Sequence, residues 1–234
     1  MLTRTYQSLA SLSLGLWLMG GVMVLLAVGS FGGEEAAALN AMPLSVWLTR
    51  APLAASWWLW GTLALLTLLT INTILCSIEA IRLRLGKSTL PALVAPQLMH
   101  LGFLLIVLAH LLSATGGAKE AMQVYQGSSI GFPDGSTLHV GPISVATGPM
   151  GMPTDYRAQV RAVTGSRVEE GTVSPNHPFF HGGFGVYLKH AEEYPFPVAV
   201  MEIHREPGAG WALAGALLFT AGNGMLLALR RERR

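Results

Sequence analysis

Charge is scarce in this sequence. Only 12% of its 234 residues are Asp, Glu, Lys or Arg, against about a quarter in an ordinary soluble domain. The shortage is uneven. Long stretches carry almost no charge, while the segment from about Lys119 to Glu206 has a normal share. That split reads as membrane plus aqueous domain. No stripe of Lys and Arg interleaved with aromatics is present, which argues against a nucleic-acid partner. There is one cysteine, Cys76, so neither a disulfide framework nor a cysteine zinc site exists within the chain. Cys76 lies in an apolar run and reads as a small hydrophobe. The sequence also lacks a P-loop, a dinucleotide fingerprint, a nucleophile elbow and an HExxH pair. No residue is therefore assigned as catalytic, and none as a metal ligand.

What the sequence does contain is long apolar runs. A span of the bilayer core needs about 20 apolar residues. Four windows qualify, at about 12–31, 56–78, 93–114 and 211–229. The first exceeds the apolar stretch of a secretory signal and is followed by further spans, so it reads as an uncleaved anchor. Basic residues set the expected orientation. Arg4 precedes the first span, Arg82, Arg84 and Lys87 separate the second from the third, and Arg230, Arg231, Arg233 and Arg234 follow the fourth. The opposite short loop has only Arg50. Both termini are thus expected in the cytoplasm of a bacterial inner membrane, with the segment between the third and fourth spans in the periplasm. Trp57, Trp58, Trp60 and Trp211 fit an interfacial aromatic belt among the lipids.

Between those spans the periodicity changes to two. In "DYRAQVRAV", Tyr156, Ala158, Val160 and Ala162 alternate with Arg157, Gln159 and Arg161, the pattern of a strand with one wet face. "STLHVGPISVAT", "GGFGVYLKHA" and "FPVAVMEIHR" also read as strands, with turn signals at Pro133–Gly135 and Thr164–Ser166. The expected fold is a membrane protein of four transmembrane α-helices, three N-terminal and one C-terminal. A small antiparallel β domain of about six strands, a sandwich or open barrel, is inserted between helices three and four. The expected domains are 1–115 for the membrane part, 116–208 for the exported β domain, and 209–234 for the last helix and its basic tail.

Two histidines fall inside the third span, His100 in its cytoplasmic half and His110 toward its outer end. Ionisable groups in a bilayer are costly and point to function. Ten residues of helix separate them by about 15 Å along the axis and about 80° around it, so they cannot ligate one heme from both sides. Each is either a ligand at its own depth or interhelical glue. Asn72 in span two and Asn223 in span four share the depth of His100. They are candidates to orient its second ring nitrogen, or packing residues. The histidines of the exported segment, His139, His177, His181, His190 and His204, read as solvated surface residues. Pro178 and the glycines of "NHPFFHGG" keep His177 and His181 off a common helix.

"INTILCSIEAIR" in the second span and "MHLGFLLIVLAH" in the third resemble the ResB (CcsB) family of cytochrome c biogenesis proteins. "VYQGSSIGFPDG", "GMPTDYRAQVRAV", "VSPNHPFFHGGFGVYLKHA" and "EIHREPGAGWALAGALLFTAG" continue the resemblance in order. It implies a subunit of a system II cytochrome c synthase. Such a subunit assists transfer of heme b across the membrane and its presentation to apocytochrome c, together with a multi-span CcsA (ResC) partner. It also implies that His100 matches the family's proposed heme ligand in the third span. No WWD-type segment is present, so the resemblance implies a non-catalytic or co-catalytic subunit, not a complete synthase. In "NHPFFHGG" this chain has histidine and phenylalanine where the family pattern has a basic residue and a leucine. The residues alone also permit a different protein: a heme-binding electron-transfer subunit, or a structural anchor, of a respiratory complex.

Overall fold

The computed structural model describes residues 2–32, 39 and 44–232. Most of the short loop after the first span, together with Arg233 and Arg234 of the basic tail and the side chain of Arg4, lies outside the described residues. The chain divides into two compact units, Met1–Thr115 with Gly208–Arg234, and Gly116–Pro207.

The first unit contains α1 (Leu2–Leu9), α2 (Leu12–Ser30), α3 (Leu44–Arg50), α4 (Leu53–Arg84), α5 (Leu90–Gly116) and α6 (Ala209–Glu232). Of these, α2, α4, α5 and α6 are long and apolar enough to cross a membrane. At 32 residues, α4 outruns the roughly 20 that a bilayer core requires. Its last turns, with Glu79, Arg82 and Arg84, continue the helix on polar residues. The helix is therefore longer than the apolar window 56–78.

Small residues let these helices approach closely. Buried Ala95, Gly102 and Ala109 recur every seven residues on α5. They meet Gly222 and Gly215 of α6 and Gly208 just before it, which recur at the same interval. A Cβ on Gly102 would stand 2.5 Å from the Gly215 carbonyl oxygen, and one on Gly222 would stand 2.7 Å from that of Ala95. The backbones themselves are the contact surface, as in membrane helix pairs generally. On α2, Gly15, Val22 and Gly29 are buried at the same interval. Gly15 fits against Asn72 of α4, and Gly29 against the ring of Trp58. Trp58 is buried and packs on Trp47 at 6.4 Å between ring centroids. It therefore serves the helix core, whereas Trp57, Trp60 and Trp211 remain exposed.

The second unit is a sandwich of two four-stranded antiparallel sheets. One has the order β1-β8-β7-β6, the other β2-β3-β4-β5. In chain order the strands are β1 (Ala118–Tyr125), β2 (Ser129–Gly131), β3 (Thr137–Thr147), β4 (Pro153–Thr164), β5 (Arg167–Val173), β6 (Phe179–His181), β7 (Phe184–Glu192) and β8 (Val198–Arg205). The alternation in β4 is real: Ala158, Val160 and Ala162 are buried and Arg157, Gln159 and Arg161 exposed. They pack with Leu138, Val140, Val186, Leu188 and Met201 in one core between the sheets. Eight strands form where about six were expected. β2 and β6 have three residues each, too few to show a period, and β1 commits only Met122 and Val124 to the core. Asp134 closes the β2–β3 hairpin, its Oδ1 accepting hydrogen bonds from Ser136 N at 3.0 Å and Ser136 Oγ at 2.6 Å.

Candidate functional site

His100 sits on α5 with its Nδ1 2.7 Å from Ser77 Oγ of α4. The two helices are antiparallel neighbours in the chain, joined by the turn at 85–89, with Ser77 before that turn and His100 after it. Two tautomers satisfy the contact. When the Nδ1 proton is donated to Ser77 Oγ, the Nε2 lone pair is free to bind a metal. A histidine held through its other nitrogen in this way is oriented as metal-ligating imidazoles are. His100 also lies on the side of α5 away from the glycine seam, since it is two residues before Gly102 and successive helix positions turn by about 100°.

The asparagines do not take the orienting role. Asn72 is 3% exposed, and its Nδ2 donates to the carbonyls of Leu9 at 2.6 Å and Ser11 at 3.0 Å. Asn223 donates to Phe219 O of its own helix. Asn72 is instead committed to the break between α1 and α2, where the carbonyls ending α1 have no helical partner. Cys76, one turn along α4, donates to Ala10 O at 3.1 Å in the same break. Tyr6 completes this attachment with a bond from its hydroxyl to Glu79 Oε2. Shared depth suggested the asparagines; a hydroxyl at the same depth, Ser77, meets the ring instead.

Gln97 stands one turn before His100. Its Nε2 is buried without a hydrogen-bond partner. Pro96, inside the helix, has no N–H to offer the carbonyl of Ala92. Gln97 and His100 are thus one turn apart on α5, and His100 meets Ser77 of α4.

His110 is exposed, and its Nδ1 lies 2.8 Å from the Ile106 carbonyl of its own helix. A carbonyl only accepts, so Nδ1 carries the proton and Nε2 is unprotonated in the neutral ring. The structure does not bring His110 together with His100.

Among the histidines of the sandwich, His181 departs from a solvated residue. It is 9% exposed. Its Nδ1 pairs with Glu169 Oε2 at 2.8 Å and its Nε2 with Thr164 Oγ1 at 3.1 Å. Phe179 stacks on it at 6.4 Å. Both nitrogens are committed, so the ring locks β6 to the β4–β5 hairpin and is unavailable as a ligand. The bond from His181, together with Arg167 nearby, holds the Glu169 carboxyl below its ordinary range. The bonds from Ser136, with His181 adding a smaller effect, do the same for Asp134. Burial works to raise Glu202, but hydrogen bonds from Lys189 and His204 leave it lowered. His139 and His190 are exposed and bond to Ser129 and Glu192, and His177 is exposed. Among the described residues, no group of three or more His, Cys, Asp or Glu side chains is arranged to hold a metal ion.

The model of the ResB-like family matches residues 93–195, from the first turn of α5 through β7. The resemblance read from the sequence is borne out there, and the matched region contains His100. No curated protein matches the chain. Among solved structures, a cytochrome c heme lyase, CcmF, is similar over 91% of this chain and 39% of its own, with 14% identity and a TM-score of 0.48. The chain therefore spans about two fifths of the length of that structure.

Proposed function

We propose that this chain is the heme-handling subunit of a cytochrome c assembly machine of the system II type. The observation that carries this reading is His100, held through Nδ1 by Ser77 inside a ResB-like region. The residues suit heme. Imidazole is a good axial ligand for heme iron, Ser77 orients the ring, which presents the Nε2 lone pair when Nδ1 carries the proton, and Gln97 adds an unused buried donor.

In this reading α4 and α5 hold heme b in the bilayer of a bacterial inner membrane, both termini face the cytoplasm, and the β sandwich stands in the periplasm. His100 would hold the iron through Nε2, and a CcsA-type multi-span partner would supply the remaining ligands. The sandwich guides apocytochrome c toward the joint surface. When bound, heme would offer its vinyl groups for addition of the cytochrome's cysteine thiols, with the partner carrying the remaining groups that reaction needs.

The test is maturation of c-type cytochromes in cells whose only copy is His100→Ala. Heme-stained cytochrome c should fall at least tenfold while the variant still accumulates in the membrane. Normal maturation would remove His100 from the reading. An intact wild type that holds heme through many turnovers, with a stable redox signal and no effect on maturation, would instead favour the electron-transfer subunit.

A further inference from the structure

We propose that Gln97 is the hydrogen-bond donor for a carboxylate of the ligand at His100, a propionate of heme. This rests on the heme reading above and adds a second contact to it. Gln97 Nε2 is a buried donor without a partner, and such a group is retained at a cost unless something satisfies it in another state of the protein. Gln97 and His100 are three residues apart on α5, so they are neighbours on one helix face, about 60° apart and about 4.5 Å along the axis. Both turn away from the seam with α6, whose α5 side is Ala95, Gly102 and Ala109.

A macrocycle ligated by His100 Nε2 would lie beside this face, next to the preceding turn that carries Gln97. That turn is nearer to the 85–89 connection, where Arg84 and Lys87 stand. A heme whose carboxylate edge faced Gln97 would direct it toward the end of the helices that carries positive charge. An ionised carboxylate inside a bilayer needs a donor, and a neutral amide donor provides one without introducing a second buried charge. The three flexible torsions of the glutamine let its amide turn to meet the carboxylate when heme arrives.

The test is heme titration of the purified full-length chain in detergent, followed by the Soret band. Heme is compared with its dimethyl ester, in which both carboxylates are masked. Gln97→Leu should weaken heme binding by about tenfold, as expected for losing one charge-assisted hydrogen bond. It should weaken ester binding by less than about threefold, because a masked carboxylate accepts only a weaker, neutral hydrogen bond. The Soret position should stay unchanged, since His100 still ligates. Gln97→Glu, close to the same shape but anionic, should reverse the preference and bind the ester better than heme. Equal losses for heme and ester, or no loss for either, would overturn the role of Gln97 while leaving that of His100 standing. A wild-type chain that takes up no heme, or takes it up equally in His100→Ala, would end both.

Discussion

Ser77 Oγ and His100 Nδ1 lie 2.7 Å apart across two antiparallel helices, and this contact sets how the imidazole is presented. Removing the hydroxyl leaves the ring in place but free to rotate and change tautomer. Ser77→Ala should therefore lower heme affinity about tenfold, at the low end of what the loss of such an orienting partner costs. His100→Ala should weaken binding further than Ser77→Ala and lose the wild-type Soret band. Parallel heme titrations of the two variants check the ranking. Equal behaviour of Ser77→Ala and wild type would show that the serine only packs.

Asn72 should behave oppositely. Its amide is spent on the carbonyls of Leu9 and Ser11, so Asn72→Ala strips the α1–α2 break of two donor bonds. Thermal unfolding in detergent should show a loss of about 1 kcal/mol, with heme uptake unchanged. Loss of heme binding without loss of stability would return Asn72 to the ligand site.

The seam between α5 and α6 admits no side chain at Gly102 or Gly215, where added Cβ atoms would meet backbone at 2.5 and 2.6 Å. Gly215→Leu should separate the helices and sharply reduce membrane accumulation. At Gly224 an added Cβ meets nothing within 4 Å, so Gly224→Ala should accumulate normally. Quantitative immunoblotting of membranes distinguishes the two.

The sandwich should be acid-sensitive. Glu169 and Asp134 titrate below their ordinary ranges in the folded chain. Their ionised forms thus stabilise the fold above the ordinary carboxylate range, and that contribution is lost as pH falls through the lowered values. The far-UV signal of the β unit should weaken below about pH 4. Glu169→Gln should start less stable at neutral pH and lose less on acidification. An identical acid response in wild type and Glu169→Gln would show that the His181–Glu169 pair contributes nothing.

The sequence disclosed the spans and the strands for different reasons. Apolar runs of about 20 residues announce themselves by length, and β4 announces itself by alternation across Ala158, Val160 and Ala162. The glycine seam was not legible as a heptad. Gly208, Gly215 and Gly222 contribute little hydrophobicity, and their spacing acquires meaning only against Ala95, Gly102 and Ala109 of another helix. His100 stood out because an ionisable group in a bilayer is costly. Its partner did not, because a serine within an apolar run looks like many others, whereas two asparagines looked like candidates. Counting eleven residues outward from each end of the turn at 85–89 pairs His100 with Ile74, one turn from Ser77. His181 was read as solvated because its partners, Thr164 and Glu169, come from a hairpin whose packing no local pattern reveals.

The most direct measurement is chemical rescue of heme binding in a variant that lacks the imidazole. Purified His100→Gly should bind heme weakly and without the wild-type Soret band. Added free imidazole should restore that band in a saturable manner, by occupying the position that His100 leaves. A His100→Gly protein that already shows the wild-type spectrum, or one whose spectrum imidazole changes no differently from that of free heme in the same detergent, would contradict ligation by His100.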